Sequence, residues 1–284
     1  MANIEIEKAH ELGFCFGVKR AIKILEASKG QKQIKTLGPI VHNHLVVSKL
    51  AEKGIGVIDS IEQVQDGTIA IASHGVSPEL LSQIQAQQLE VIDTTCPTVR
   101  SAQRAARRLS DAGFGVVIFG EPTHPEVKGL LGWAGSNSIA TLDAEEIRPC
   151  LSHRLGILSQ TTQSQTQFVE FTRRATTIAL PNLQELHIVN TLCMETIKRQ
   201  EAAIKLARKS DSMIVVGGCN SANTRHLADV CSALIETHLI ETAAEIKEDW
   251  LSGKQNIGVT AGASTPNESI EEVIVKLKSF SGTM

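Results

Sequence analysis

The chain has 284 residues, 42% of them apolar and 21% charged, with a net charge of -3. That is enough for two or three domains with hydrophobic interiors, and it gives no overall basic field for nucleic acid or an anionic membrane. Aromatic residues make up 3% and Tyr is absent, which argues against the base-stacking platforms of single-stranded nucleic-acid binders. Residues Met1-Ala2-Asn3-Ile4-Glu5 lack the basic-then-apolar order of a signal peptide, and no apolar run approaches the roughly 20 residues that span a bilayer. The expectation is a cytoplasmic protein with no membrane or nucleic-acid partner. Its six cysteines lie far apart with no C-x-x-C pair, which suits free, metal-binding or catalytic thiols better than disulfides.

Along the chain, short apolar runs give way to polar turns and then to helical stretches. Gly13-Phe14-Cys15-Phe16-Gly17-Val18 opens a helical run, and Thr36 to Asn43 reads as a polar turn. Ile69 to Ala72 is a strand candidate followed by the turn Ser73-His74-Gly75-Val76-Ser77-Pro78. The run around Val91-Ile92 leads into Asp93-Thr94-Thr95-Cys96-Pro97, then an amphipathic stretch from Ser101 to Leu109. Gly115 to Phe119 precedes Gly120-Glu121-Pro122-Thr123-His124-Pro125-Glu126. Leu155 to Leu158 ends in Gln160-Thr161-Thr162, and Leu186 to Val189 ends in Asn190-Thr191-Leu192-Cys193 before a helix over Thr196 to Arg208. Met213 to Val216 leads into Gly217 to Asn223, and Asn256 to Thr260 into Ala261-Gly262-Ala263-Ser264. The short β-branched runs suit strands buried on both faces, and strand alternating with helix predicts α/β architecture with mainly parallel sheets. No strict repeat is visible, but Cys15, Cys96 and Cys193 divide the chain into stretches of comparable length, each with its own strand-turn-helix pattern.

Ligands of open α/β sheets bind beyond the carboxyl ends of the strands, where helix N-termini point. Cys15, Cys96 and Cys193 each sit where a loop opens a helix, and the helix dipole there favours a thiolate, the form that binds metal. The plain alternative is a small buried hydrophobe, the reading that suits Cys150 and Cys231 better; Cys219 lies in a polar turn. Iron–sulfur sites often use four cysteines, so three thiolates would leave one iron open to substrate. His42, His74 and His124 follow strands in Gly- or Pro-containing turns, and imidazole donates hydrogen bonds to phosphate oxygens, best when protonated. His10, His44, His153, His187, His226 and His238 read as satisfied surface or core residues. Lys128 is the nearest cation to these turns, so a bound anion would rest on neutral dipoles, His and helix N-termini. Glu126 follows His124 by two residues. Beside a bound diphosphate its pKa would rise, which suits a proton donor; the alternative is a solvated Glu at a helix start. Thr161, Ser221, Asn223 and Ser264 are candidate helix caps, and a cap that also binds phosphate is the same device.

These strings, in this order and nearly end to end, closely resemble the LytB/IspH family of 4-hydroxy-3-methylbut-2-enyl diphosphate reductases, the last enzymes of the non-mevalonate isoprenoid pathway. The resemblance rests on Gly13 to Val18, Val41-His42-Asn43, Ser73 to Pro78, Thr95-Cys96-Pro97, His124 to Val127, Ser159 to Thr162, Thr191 to Thr196 with Arg199-Gln200, Asn220 to Asn223 and Thr260 to Ser264. It implies a [4Fe-4S] cluster ligated by Cys15, Cys96 and Cys193 at the centre of a clover-like arrangement of three α/β domains. Taken with the cysteine divisions, those domains are 15–96, 97–193 and 194–284, with residues 1–14 packing on the last. It implies diphosphate binding by His42, His74, Ser221, Ala222, Asn223 and Ser264, with His124 and Thr161 also lining the substrate site. Glu126, helped by Thr161, is then the proton source, and Thr196 lies close to the cluster. Where many members have a second Ser, Ala222 removes one hydroxyl but keeps a backbone N–H, so weaker substrate binding at most is expected. The implied reaction is a two-electron reductive dehydroxylation of the allylic diphosphate to isopentenyl and dimethylallyl diphosphate. No G-x-G-x-x-G follows a strand, so electrons are expected from a ferredoxin or flavodoxin and not from a bound nicotinamide.

Two rivals stand beside this reading. His124-Pro125-Glu126 suggests a zinc hydrolase or deaminase, although such enzymes pair H-x-E with P-C-x-x-C, which is absent. The polar turns would also serve a non-catalytic binding protein for an anionic metabolite, which has no need for three cysteines at helix starts.

Overall fold

The computed structural model describes residues 4–28, 34–64, 66–150 and 153–281. In chain order come β1 (Glu5–Lys8), α1 (Phe16–Ala27), β2 (Ile34–Leu37), α2 (His44–Ala51), β3 (Ile55–Ile58), β4 (Thr68–Ile71), α3 (Pro78–Ala86) and β5 (Glu90–Asp93). The middle forms α4 (Pro97–Asp111), β6 (Gly115–Phe119), α5 (Pro125–Ala134), β7 (Ser138–Thr141), β8 (Arg154–Ser159), α6 (Gln165–Ala179) and β9 (Glu185–Val189). The last third adds α7 (Met194–Ala207), β10 (Ser212–Val216), α8 (Ala222–Ser232), β11 (Thr237–Ile240), β12 (Asn256–Ala261) and α9 (Asn267–Ser281).

The strands form three four-stranded sheets, ordered β3-β2-β4-β5, β7-β6-β8-β9 and β1-β12-β10-β11. Every pairing in them is parallel, as the α/β expectation requires. The three share one topology. Numbered along each unit, the spatial order is second, first, third, fourth. In the third sheet the fourth place is taken by β1, from the N-terminal end of the chain, in register Glu5 to Asn256 and Lys8 to Val259. Parallel strands of one sheet end on the same side, so each sheet presents its polar turns along one edge.

Two compact units divide the chain. One holds the described residues up to Val18, His42–Ser48 and the chain from Met194 onward; the other holds Lys19–Val41 and Lys49–Cys193. In the first, β10 is buried along its whole length. Its alternating side chains explain why: Ile214 and Val216 pack with α9 residues Ile270, Val273 and Leu277, while Met213 and Val215 pack with Ala203 and Leu206 of α7 and Leu227 of α8. A strand covered on both faces needs apolar residues at every position, not at every second one.

In the second unit, Ile69 and Ile71 of β4 meet Ile84 of α3. Val116 and Ile118 of β6 meet Ala102, Ala106 and Leu109 of α4 and Val127 and Leu130 of α5. On the opposite face of β6, Phe119 lies 5.8 Å from Phe168 and 4.8 Å from Phe171 of α6. The fourth strands β5 and β9 are edges with largely exposed or half-exposed residues. Thr36 and Leu37, read from sequence as part of a turn, are the last two residues of β2; their turn begins at Gly38, where φ is +69°. Among the described residues no helix is long and apolar enough to cross a membrane.

Leu130 is fully buried between α4, α5 and β6. Leu130→Ala is expected to lower stability by about 3 kcal/mol through lost burial and the cavity left behind, read as an earlier urea unfolding midpoint.

Candidate active site

The turns beyond the carboxyl ends of the first, third and fourth strands of each sheet carry the residues singled out from sequence. In strand order these are His42, His74 and Cys96; His124 with Glu126, Thr161 and Cys193; and Ser221 with Asn223, Ser264 and Cys15. The turns after the second strands β3, β7 and β11 carry none of them.

Within the first unit, several of these residues meet. Gly218 lies so close to the His42 backbone that a Cβ there would stand 2.6 Å from the His42 carbonyl oxygen. Ser264 Oγ donates to the same carbonyl at 3.4 Å. Asn43 Oδ1 accepts from Val46 N–H at 3.2 Å and holds the start of α2. Ser221 caps α8 by accepting from Thr224 N–H at 3.4 Å. Thr196 Oγ1 donates to Asn223 Oδ1 at 3.5 Å. Asn223 Nδ2 is buried and has no hydrogen-bond partner among the described residues. Leaving such a donor unsatisfied costs about 1–3 kcal/mol, so an anionic oxygen that accepts from it is favoured. Ala222 is buried beside it. The imidazole of His42 is held below its ordinary pKa, first by burial and then by the nearby Arg225 guanidinium. Both effects favour the neutral imidazole, which still carries one ring N–H, over the imidazolium that the sequence reading names as the better donor. Arg225, one turn beyond Ser221 on α8, is the cation that the sequence reading passed over in naming Lys128.

Cys15 is fixed in the same unit. Its N–H donates to Ala263 O at 3.0 Å, and its Sγ accepts from Val18 N–H at 3.4 Å. The turn before it depends on Gly13, at φ +75°, whose carbonyl accepts from Arg199 Nη2 at 2.9 Å.

In the second unit, the His74 turn lies beside the Cys96 loop. Cys96 N–H donates to Ser73 O at 2.9 Å, and a Cβ at Gly75 would stand 3.0 Å from Thr95 Cγ2. Cys96 occupies the N-cap position of α4 without making a side-chain cap bond. His124 caps α5: its Nδ1 accepts from Glu126 N–H at 3.1 Å. An accepting Nδ1 leaves the proton of neutral imidazole on Nε2, which can donate to a ligand. Helix α5 is seated on the loop after His74 by Trp133, whose indole N–H donates to Val76 O at 2.9 Å. At Gly132 a Cβ would meet Ser77 Cβ at 2.4 Å, so only glycine allows this approach.

Glu126 is 3% exposed, not the solvated residue of the plain alternative. Its Oε1 accepts from Thr161 N–H at 2.7 Å and its Oε2 from Thr161 Oγ1 at 2.9 Å. Burial pushes its pKa from 4.5 to about 7, against the two Thr161 bonds, which lower it. The elevation comes from desolvation by the protein itself; no neighbouring diphosphate is needed. Thr161 O in turn accepts from Cys193 N–H at 2.9 Å. Gln160 stiffens this turn: its Oε1 accepts from Glu121 N–H at 3.2 Å and Gln163 Nε2 at 3.1 Å, and its Nε2 donates to Thr162 Oγ1 at 3.1 Å.

The other cysteines differ. Cys231 is fully buried, and burial pushes its thiol up to about 12. Cys219 is exposed, with its thiol raised by burial and by Glu241. The Cys150 side chain lies outside the described residues. Of the six histidines assigned to ordinary surroundings, His44, His187 and His238 face glutamates.

Among the described residues no three His, Cys, Asp or Glu side chains are grouped closely enough to hold a single metal ion. That geometry, with His124 and Glu126 bonded as above, disagrees with a mononuclear zinc hydrolase. The thiols of Cys15, Cys96 and Cys193 are all part-exposed and free of disulfides. With a backbone N–H aimed at Cys15 Sγ and a cap position that Cys96 leaves unused, the donor set fits soft thiolate ligation of an iron–sulfur cluster. Cluster ligands bind different irons and so stand further apart than the ligands of one ion.

The chain resembles known proteins over nearly its whole length. Residues 6–278 match the family model described as LytB protein. A relative from Dehalococcoides mccartyi (strain CBDB1), named 4-hydroxy-3-methylbut-2-enyl diphosphate reductase, is 48% identical over 273 residues, covering 95% of this chain and 96% of its own. One of the same name from Geobacter sulfurreducens is 42% identical over 280 residues, covering 98% of both. A solved structure of (E)-4-hydroxy-3-methyl-but-2-enyl diphosphate reductase, described as the terminal enzyme of the non-mevalonate pathway, is 39% identical with a TM-score of 0.70, covering 98% of this chain and 100% of its own. The E-1-hydroxy-2-methyl-but-2-enyl-4-diphosphate reductase from Plasmodium falciparum is 25% identical with a TM-score of 0.91, covering 97% and 88%. On this evidence the chain belongs to the LytB family.

Proposed function

We propose that this chain reduces 4-hydroxy-3-methylbut-2-enyl diphosphate to isopentenyl and dimethylallyl diphosphate, the last step of the non-mevalonate isoprenoid pathway. The substrate gains two electrons and two protons and loses its allylic hydroxyl as water. The observation that carries the reading is the buried Glu126–Thr161 pair in a chain of this family: a carboxyl that keeps its proton near neutral pH is suited to protonate a departing hydroxyl. In this reading Cys15, Cys96 and Cys193 hold a [4Fe-4S] cluster. When bound, it supplies electrons one at a time and the Lewis acidity that weakens the C–O bond.

The chain's own residues do the rest. Glu126 delivers a proton to the leaving oxygen, and Thr161, bonded to it through both N–H and Oγ1, fixes its orientation and can pass the proton on. His42, His74, Ser221, Asn223, Ser264 and the Ala222 N–H bind the diphosphate, with Asn223 Nδ2 supplying a buried donor and the start of α8 a favourable dipole. His124 offers Nε2–H to the substrate. Fixing the diphosphate holds the hydroxyl in place, which is proximity catalysis. The reading puts the enzyme in the cytoplasm with reduced ferredoxin or flavodoxin as electron donor. The rival binding protein leaves a titratable carboxyl buried against a threonine with no task.

Anaerobic turnover of the diphosphate with dithionite and methyl viologen, with both products identified, tests this directly; no product formation by iron-loaded protein counts against it. Glu126→Gln is expected to keep iron, sulfide and substrate binding while kcat falls about 100-fold or more. In the unaltered enzyme the rate should decline as pH rises through about 7, where Glu126 gives up its proton. Cys96→Ser should lose acid-labile sulfide and most of the iron; full retention of both would remove Cys96 as a ligand.

A further inference from the structure

A groove of about 730 Å³ lies within the second unit, between α4 and the segment that follows β9. Its two ends adjoin the ligand positions proposed above. Pro97, which lines it, directly follows Cys96, and Leu192, which also lines it, directly precedes Cys193. Arg104 and Arg108 line the same groove, and no Asp or Glu does. Both arginines are exposed. Neither makes an ion pair among the described residues, unlike Arg100 and Arg107 on the same helix, which pair with Asp93 and Asp111. Ala105, between the two arginines along the helix, and Ser101 and Ala102, just before them, give the groove wall small side chains.

The groove carries positive charge in a chain that is negative overall. With a net charge of -3, the protein as a whole repels an acidic partner; two guanidiniums one helical turn apart, without an ion pair among the described residues, offer that partner local attraction. Guanidinium groups match carboxylates in shape as well as charge.

We infer that this groove is the docking surface for a small acidic one-electron carrier protein, whose carboxylates meet Arg104 and Arg108 and whose redox group is thereby brought beside Cys96 and Cys193. The inference rests on the reductase reading. Each encounter oxidises one carrier by one electron, so two reduced carriers are consumed per diphosphate. The two electrons, with two protons, convert the C–OH to C–H and water. Electron-transfer encounters of this kind are small and short-lived, steered by charge and not by apolar area.

The test compares Arg104→Glu/Arg108→Glu with the unaltered holoenzyme, using a plant-type [2Fe-2S] ferredoxin as the carrier. Binding of oxidised ferredoxin is followed by calorimetry, and turnover is driven either by reduced ferredoxin or by methyl viologen. The reversal is expected to weaken ferredoxin binding and raise its KM about tenfold or more at low salt, and to flatten the salt dependence. Viologen-driven turnover, which needs no docking surface, should be unchanged and also reports correct folding. The milder Arg104→Gln/Arg108→Gln should show a smaller loss in the same direction. Equal ferredoxin binding and KM in the reversed and unaltered proteins overturns the inference, as does ferredoxin failing to bind the unaltered protein. Viologen-driven turnover of the unaltered enzyme tests the reductase reading alone, so failure of the docking surface and failure of that reading are distinguishable.

Discussion

Parallel pairing in one shared strand order is the constraint on which the rest depends. In each sheet the first and third strands are central neighbours and the fourth is an edge. The turns beyond exactly these strands' carboxyl ends carry the polar residues and the cysteine. Because central strands are covered on both faces, their side chains are committed to the core, as in β6 and β10. Only the turn beyond each strand is left to carry chemistry, and there helix N-termini add N–H donors and a positive field.

Glu126 shows what such a turn can do. A carboxyl that keeps its proton in the folded chain up to about pH 7, but has an ordinary value of 4.5 when exposed, links proton binding to folding. Its contribution to stability is full below about pH 4.5 and is lost as pH rises through about 7, a difference of about 3 kcal/mol by linkage. A structural role would not call for a group that destabilises the fold above neutrality. The proposed proton delivery does call for one, and the two Thr161 bonds fix the carboxyl's orientation.

Much of this was legible in the sequence, for identifiable reasons. Five consecutive apolar residues in Gly115 to Phe119 announce a doubly covered strand, and the structure makes them β6 without change. β1, with the sequence Glu-Ile-Glu-Lys, gives no such signal, because an edge strand carries charged residues. The coarse repeat marked by three cysteines was visible, and the resemblance implied that residues 1–14 go with the last stretch; that they supply the fourth strand of the third sheet, β1, was not readable from its residues. At the site, residue types and turns were readable, while quantities set by tertiary packing were not. The burial that elevates Glu126, the lowered pKa of His42 beside Arg225 and the buried Asn223 Nδ2, without a partner among the described residues, depend on packing between segments distant in sequence. Gly132 and Trp133, which seat α5 on the His74 loop, read as ordinary helix residues until the neighbouring loop is known.

The central claim is that one buried carboxyl holds a proton near neutral pH for use on the substrate. Infrared difference spectroscopy across a pH titration, with Glu126→Gln subtracted to isolate the Glu126 C=O stretch, measures it directly. The account predicts a protonated-carboxyl band that disappears with a midpoint near pH 7. A midpoint near 4.5, or no protonated band at pH 6, contradicts it.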